Sequence, residues 1–343
     1  AGTNTLTLPA QTGTVPISDV EFITQRKTAT PIIINGDMAI WQRGASLSSN
    51  PGNYACDRFW YSGTGMTSQR STDVPSGFVY SNKLTYGSAD MSIGQPIELP
   101  ATGIQGNLIS GQTLTIAFYG KVDSGTEAIT VNINARNEKF SGTNSTAFTT
   151  SDSAVTLTTA WQRFTKTFTI PTINSNNVML AFELAQISKT AYFTGIQCEL
   201  GTYDTNSIAD FQFEDRATSL ARCQRYFQKS FPQGTVPQNY GSYVGGQSDA
   251  GIGAVMSSTE YKVVINFKCE MRAAPTMAFY KAQNTPDDGE WTYWDGGDNL
   301  NPSSMGSNPQ SHRVTVVMGF SGGGKNTGRA GLTQGNYTAE AEL

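Results

Sequence analysis

Charge is scarce in this chain. Only 15% of its 343 residues are Asp, Glu, Lys or Arg, against roughly 25% in an average soluble domain. The 23 basic and 27 acidic residues leave a net charge of −4. Arg216, Arg222, Arg225 and Lys229 are the nearest approach to a basic cluster. Binding to nucleic acid needs a basic face, so that class is excluded. Histidine occurs once, at His312, so a Ser-His-Asp or Cys-His triad would have to use it. No G-x-S-x-G or H-E-x-x-H sequence is present, and a histidine-based metal site needs at least two histidines. The four cysteines, Cys56, Cys198, Cys223 and Cys269, are far apart and form no C-x-x-C pair. That excludes a zinc ribbon and a disulfide scaffold, and buried free thiols are expected, with one inter-strand bridge left open. No apolar run nears the roughly 20 residues of a membrane-spanning helix, so no membrane insertion is expected. There is no signal peptide and no initiator Met, which points to processing or to excision from something longer.

What the chain does have is glycine, 35 residues of it, together with Thr, Ser and Asn. Residues of the AVILMFWYC set make up 38%, enough to build real cores. Short apolar or alternating runs recur between turn signals. They include Pro31–Ile34, Arg58–Tyr61, Phe78–Tyr80, Lys83–Tyr86, Thr113–Tyr119, Ala128–Ile133, Val178–Leu184 and Tyr192–Leu200. From Gln162 to Ile170 the alternation places Phe164, Phe168 and Ile170 on one face. After Gly245 the strands resume at Tyr261–Phe267, Met277–Tyr280, Arg313–Met318 and Tyr337–Leu343. The last run reads as a natural C-terminus. One segment breaks the pattern: Phe213, Ala217, Leu220, Gln224 and Phe227 follow helical spacing, which predicts an amphipathic helix over Glu214–Gln228. The fold class is therefore all-β, two β-sandwich or jelly-roll domains joined by one amphipathic helix. The expected units are a lead-in over 1–30, a jelly roll over 31–212, the connecting helix over 213–230 and a C-terminal β-sandwich over 231–343.

Few signs of catalysis appear. Glycosidases need two carboxylates, and Glu183 and Glu199 are the ones set within strands, where facing solvent is the plain reading. Gly322–Thr327 lacks the full phosphate-loop pattern. Asp287–Glu290 and Asp295–Asn299 offer oxygen ligands without EF-hand spacing, so solvated turns are the better reading. Trp291, Tyr293 and Trp294 lie between those acidic turns. Aromatic rings stack on the C–H faces of sugars while Asp and Asn take the hydroxyls. Alternation favours Trp291 and Tyr293 as core residues, and leaves Trp294, with Asp295 and Asp298, as the better sugar contacts. Tyr240 and Tyr243, in a Gly-rich loop, are weaker candidates. No catalytic residue and no metal ligand is assigned.

Several phrases, taken in order, resemble bacteriophage tail-fibre and receptor-binding proteins. Asn35-Gly36-Asp37-Met38-Ala39-Ile40-Trp41-Gln42-Arg43-Gly44 is similar to their opening, and Tyr54-Ala55-Cys56-Asp57-Arg58-Phe59-Trp60 to the stretch that follows. Trp161-Gln162-Arg163-Phe164, Thr194–Gly201 and Leu220–Phe227 continue the match over residues 31 to 230. The resemblance implies a carbohydrate-binding-module jelly roll. It also implies a structural calcium near Asn35-Gly36-Asp37 and the final strand, although Thr194-Gly195 stands where such modules often place Asp. Apart from that calcium, no cofactor is expected. The further implication is a virion protein, the distal part of a tail fibre. It would be a homotrimer at the virion surface, binding host-surface polysaccharide and other virion proteins. A capsid-surface decoration protein is the alternative. A polysaccharide depolymerase is weaker, because the repeats of a β-helix spike are absent.

Overall fold

Strands dominate because β-branched and aromatic residues alternate with small polar ones along most of the chain. The computed structural model describes residues 31–48, 53–99, 110–136, 148–170, 172–173, 179–239, 249–281, 291–294, 299–300, 302–321 and 327–342. The expected lead-in over 1–30 lies outside these residues.

Twelve strands precede the helix. The first six are β1 (Ser46–Ser48), β2 (Asn53–Tyr54), β3 (Trp60–Ser62), β4 (Thr67–Ser71), β5 (Ser81–Thr85) and β6 (Met91–Glu98). The next six are β7 (Thr113–Val122), β8 (Glu127–Arg136), β9 (Phe148–Leu157), β10 (Gln162–Thr169), β11 (Met179–Ile187) and β12 (Ala191–Leu200). They form two antiparallel six-stranded sheets, ordered β1-β4-β5-β12-β7-β10 and β2-β3-β6-β11-β8-β9. Leu114, Ile116 and Phe118 of β7, Phe168 of β10 and Leu180, Phe182 and Leu184 of β11 share one core between the sheets. Each such side chain, buried, contributes about 1.5–3 kcal/mol. Phe164, Phe168 and Ile170 all face that core, as the alternation predicts.

The helix α1 runs over Arg216–Gln224, shorter than Glu214–Gln228. Asp215 caps it, its carboxylate accepting from the backbone N–H of Ala217 (2.9 Å) and Thr218 (3.2 Å). The helical spacing runs on to Phe227, yet the chain leaves the helix at Arg225. The next residues are claimed by a sheet, as β13 (Phe227–Lys229) pairs with the last strand. Leu220, Cys223 and Tyr226 pack with Ile34, Tyr54, Trp60, Met179 and Ala181 in a second small core. The helix side of the molecule thus covers part of the outer face of the β2–β9 sheet.

The remaining strands are β14 (Asp249–Ser257), β15 (Glu260–Asn266), β16 (Thr276–Tyr280), β17 (Thr292–Trp294), β18 (Asn299–Leu300), β19 (Ser304–Pro309), β20 (Arg313–Gly319) and β21 (Ala330–Glu340). They and β13 form a nine-stranded sheet built around β21. Its first half pairs with β14 and β17, and its second half with β13 and β16. The Tyr337 end of this strand was legible in the sequence. Its start at Ala330 was not, because Gly331 and Gly335 interrupt the alternation.

The two β units meet at a buried charged joint. Arg58 ion-pairs with Glu342, and its guanidinium lies 3.4 Å from the ring centroid of Tyr226. Arg43 also reaches Glu342 (3.2 Å) and stacks 3.8 Å over Phe227. Gln42 donates to Asp57 (2.6 Å) and to the Phe227 carbonyl (2.8 Å). Arg225 and Tyr226 bond Glu98, the tyrosine hydroxyl at 2.8 Å. The Trp-Gln-Arg-Gly and Asp-Arg-Phe-Trp phrases therefore build this joint.

Candidate functional site

Register places a row of four side chains on the outer face of the first sheet. Tyr192 of β12 lies opposite Lys83 of β5 on one side and opposite Lys121 of β7 on the other. Trp161 precedes Gln162, which pairs with Gly120, and so falls beside Lys121. Neighbouring strands are about 4.8 Å apart, which sets the spacing along the row. The Tyr192 ring has the Lys121 ammonium 4.9 Å from its centroid and that of Lys83 5.6 Å away. Lys121 is also 5.7 Å from the Trp161 centroid. These distances fall within cation–π range. The two rings meet edge to face, their centroids 6.4 Å apart. Both rings are half-buried, so each keeps part of its surface in solvent.

Asp73, in the connection between β4 and β5, fixes the row from above. Its Oδ1 accepts the indole N–H of Trp161 at 2.9 Å, and its Oδ2 ion-pairs with Lys121. The Asp73 carbonyl accepts the Ser81 hydroxyl at 2.6 Å, which ties the connection down. Slight burial pushes the Asp73 carboxyl up. Hydrogen bonds from Lys121 and Trp161 and the charges of Lys121 and Lys83 outweigh it and hold the group below the usual range. Asp73 is thus an ionised acceptor with both oxygens engaged.

An aromatic cluster closes the lower end of the face. Phe78 packs against Tyr119 (5.4 Å), Phe211 (5.3 Å) and Phe213 (5.1 Å). Gly195 makes this packing feasible. It sits in a bulge of β12 with φ +60°, and a Cβ there would come within 2.7 Å of Phe78 and 2.8 Å of Tyr119. Arg163 and Gln197 both donate to the Ala209 carbonyl, at 2.6 and 2.9 Å, and strap the chain after β12 across this half of the face. The upper half, with Trp161, Tyr192 and the two lysines, stays open.

A narrow cleft lies elsewhere, lined by Asn35, Asp37, Glu199 and Glu214 among others. Its volume of about 30 Å³ has room for a water or two and none for a sugar ring. Burial pushes the Asp37 carboxyl up, with Glu214 adding to the push. Glu214 is itself committed to Arg222 at 2.9 Å. Among the described residues no group of three or more His, Cys, Asp or Glu side chains gathers as metal ligands.

The sequence candidates fall elsewhere. Trp291 is 1% exposed, donates its indole N–H to the Asn336 carbonyl at 2.9 Å and packs on Phe279. Tyr293 is 0% exposed, against Tyr261 and Phe320. Neither ring presents a face to a ligand, because both fill the C-terminal core on the side that alternation favours. The backbone of Trp294 pairs with Leu332 and Asn299. Tyr240, Tyr243, Asp295 and Asp298 lie outside the described residues. His312 is exposed in the turn between β19 and β20. All four cysteines are free thiols, three of them buried. The row of Lys83, Lys121, Trp161 and Tyr192 escaped the sequence reading. One signal was present: Trp161 stands at the mouth of a strand whose apolar face is already filled by Phe164 and Phe168.

A protein-family profile described as a carbohydrate binding domain matches residues 57–190. That span contains Asp73, Lys83, Lys121 and Trp161 and ends two residues before Tyr192. No curated protein sequence matches the chain. Among solved structures, the CBM22-1 xylan-binding domain of Paenibacillus barcinonensis Xyn10C is 11% identical. It covers 52% of this chain and 99% of its own, with a TM-score of 0.34. A structure titled for CBM4 structure and function is 21% identical over 49% of this chain and 98% of its own, with a TM-score of 0.32. The enzymatically active domain of bacteriophage CBA120 tailspike protein 4 is 13% identical over 50% of this chain and 21% of its own, at 0.31. All these TM-scores are below 0.5.

Proposed function

We propose that this chain binds polysaccharide non-covalently through the open upper half of its first sheet. A sugar ring lies against Tyr192 and Trp161, and Lys83 and Lys121 donate to its oxygens. The carrying observation is the accessible aromatic row, held by Asp73, on strands within and beside the segment that matches a carbohydrate-binding family. Rings pinned by hydrogen bonds and packing lose little entropy on binding, which favours affinity. Binding alone needs no catalytic group, in keeping with a non-enzymatic role.

The setting we propose is the distal part of a bacteriophage tail fibre, a homotrimer exposed at the virion surface and attaching to host-surface glycan. The ordered phrases from Asn35 to Phe227 support this reading. The test is retention of the full chain on immobilised host-surface polysaccharide, with Trp161→Ala and Tyr192→Ala variants in parallel. Wild-type retention lost in both variants supports the reading, and retention equal in all three contradicts it. Light scattering should give three chains per particle. A monomer contradicts the fibre setting and leaves glycan binding standing.

A further inference from the structure

The open row presents more hydrogen-bond donors than acceptors. Both oxygens of Asp73 are engaged within the protein. Lys121 is paired with Asp73, whereas Lys83 has no carboxylate within ion-pairing distance among the described residues, although it lies directly beside Tyr192. Arg163, one step further down the face, pairs with exposed Asp210 at 3.5 Å. The row therefore holds one uncompensated positive charge at the edge of an aromatic surface, on a chain whose net charge is −4.

We propose that the row selects acidic polysaccharides, with Lys83 pairing to an anionic substituent on the sugar while the ring lies against Tyr192 and Trp161. Carboxylate and sulfate share this chemistry. A neutral sugar brings hydroxyls that both donate and accept, and Asp73, the carboxylate at the row, already has each oxygen engaged within the protein. An anionic sugar brings only acceptors to that edge and meets the free ammonium. Burying Lys83 against a neutral ligand would desolvate its charge without compensation. The inference rests on the glycan-binding reading above.

Affinity electrophoresis of the full chain tests it, with each acidic polymer set against a neutral counterpart. Polygalacturonate is paired with methyl-esterified pectin, and dextran sulfate with dextran. At least one acidic polymer should retard the chain more than its counterpart does, and the difference should shrink with added salt. Lys83→Gln should weaken retention by that polymer about threefold to fivefold, the size of a partly exposed ion pair, and weaken retention by its neutral counterpart by less. Lys262→Gln, with the same charge change on β15, should have no effect. Which acidic polymer retards the chain tells carboxylate from sulfate. Equal retention by acidic and neutral polymers, or equal losses in both lysine variants, overturns the selectivity and leaves glycan binding intact. No retention by any polymer overturns both.

Discussion

Arg58 and Glu342 are 284 residues apart in sequence, and each side chain is 1% exposed where they form an ion pair. Arg43 shares the same carboxylate. The last residues of the chain thus neutralise two arginines of the first β unit. Removing one partner of a buried pair strands the other charge, at a cost of about 3–5 kcal/mol. Glu342→Ala should lower stability by that order in urea unfolding, while Arg58→Met with Glu342→Leu should cost less than Glu342→Ala alone. A loss of less than about 1 kcal/mol for Glu342→Ala would mean that the joint contributes little.

Asp57 gives the joint a pH dependence. Burial lifts its carboxyl to about 6, against the pull of Arg43 and the hydrogen bonds from Gln42. Its folded pKa is above the unfolded value, so the folded state holds the proton more tightly. The stability this adds is present below about pH 4 and is lost as pH rises towards 6. Asp57→Asn should remove that decline. Parallel pH–stability curves for the two proteins would sink the account.

Gly195 is the hinge of the aromatic cluster below the row. Gly195→Ala meets both a positive φ and two rings under 3 Å away, so it should destabilise the fold by about 2 kcal/mol or more. Gly77, also at positive φ but with open space around it, should tolerate Ala at about 1 kcal/mol. Equal melting shifts would argue against the packing role of Gly195.

Much of the first β unit was legible because its strands alternate cleanly, as β10 shows. The helix was legible in its position and not in its end. Periodicity continues to Phe227, and only pairing with β21 reveals that the chain has already become a strand. Trp291, Tyr293 and Trp294 cluster in sequence, and alternation alone assigns Trp291 and Tyr293 to the core, where both are buried. Lys83, Lys121 and Tyr192 sit on three different strands, and Trp161 stands just before a fourth. Their neighbourhood exists only through register, and no local pattern carries that. Glu342 likewise looks like a terminal solvated carboxylate until the two arginines are placed around it.

The exposed face of the C-terminal sheet offers a contrast to the row. Ile252 on β14 is 72% exposed and Val264 on β15 is 52% exposed. Exchanging both for Thr should leave glycan retention unchanged, because no part of the row touches them. Loss of retention with the fold intact would move the binding site to this unit.

The most direct measurement is the affinity of the full chain for polysaccharide, wild type against Trp161→Ala and Tyr192→Ala. The account predicts a loss of about 1–2 kcal/mol, roughly fivefold to thirtyfold, in each variant, with melting temperatures held near wild type. Unchanged affinity in both variants would contradict it and place the sugar contacts away from the row.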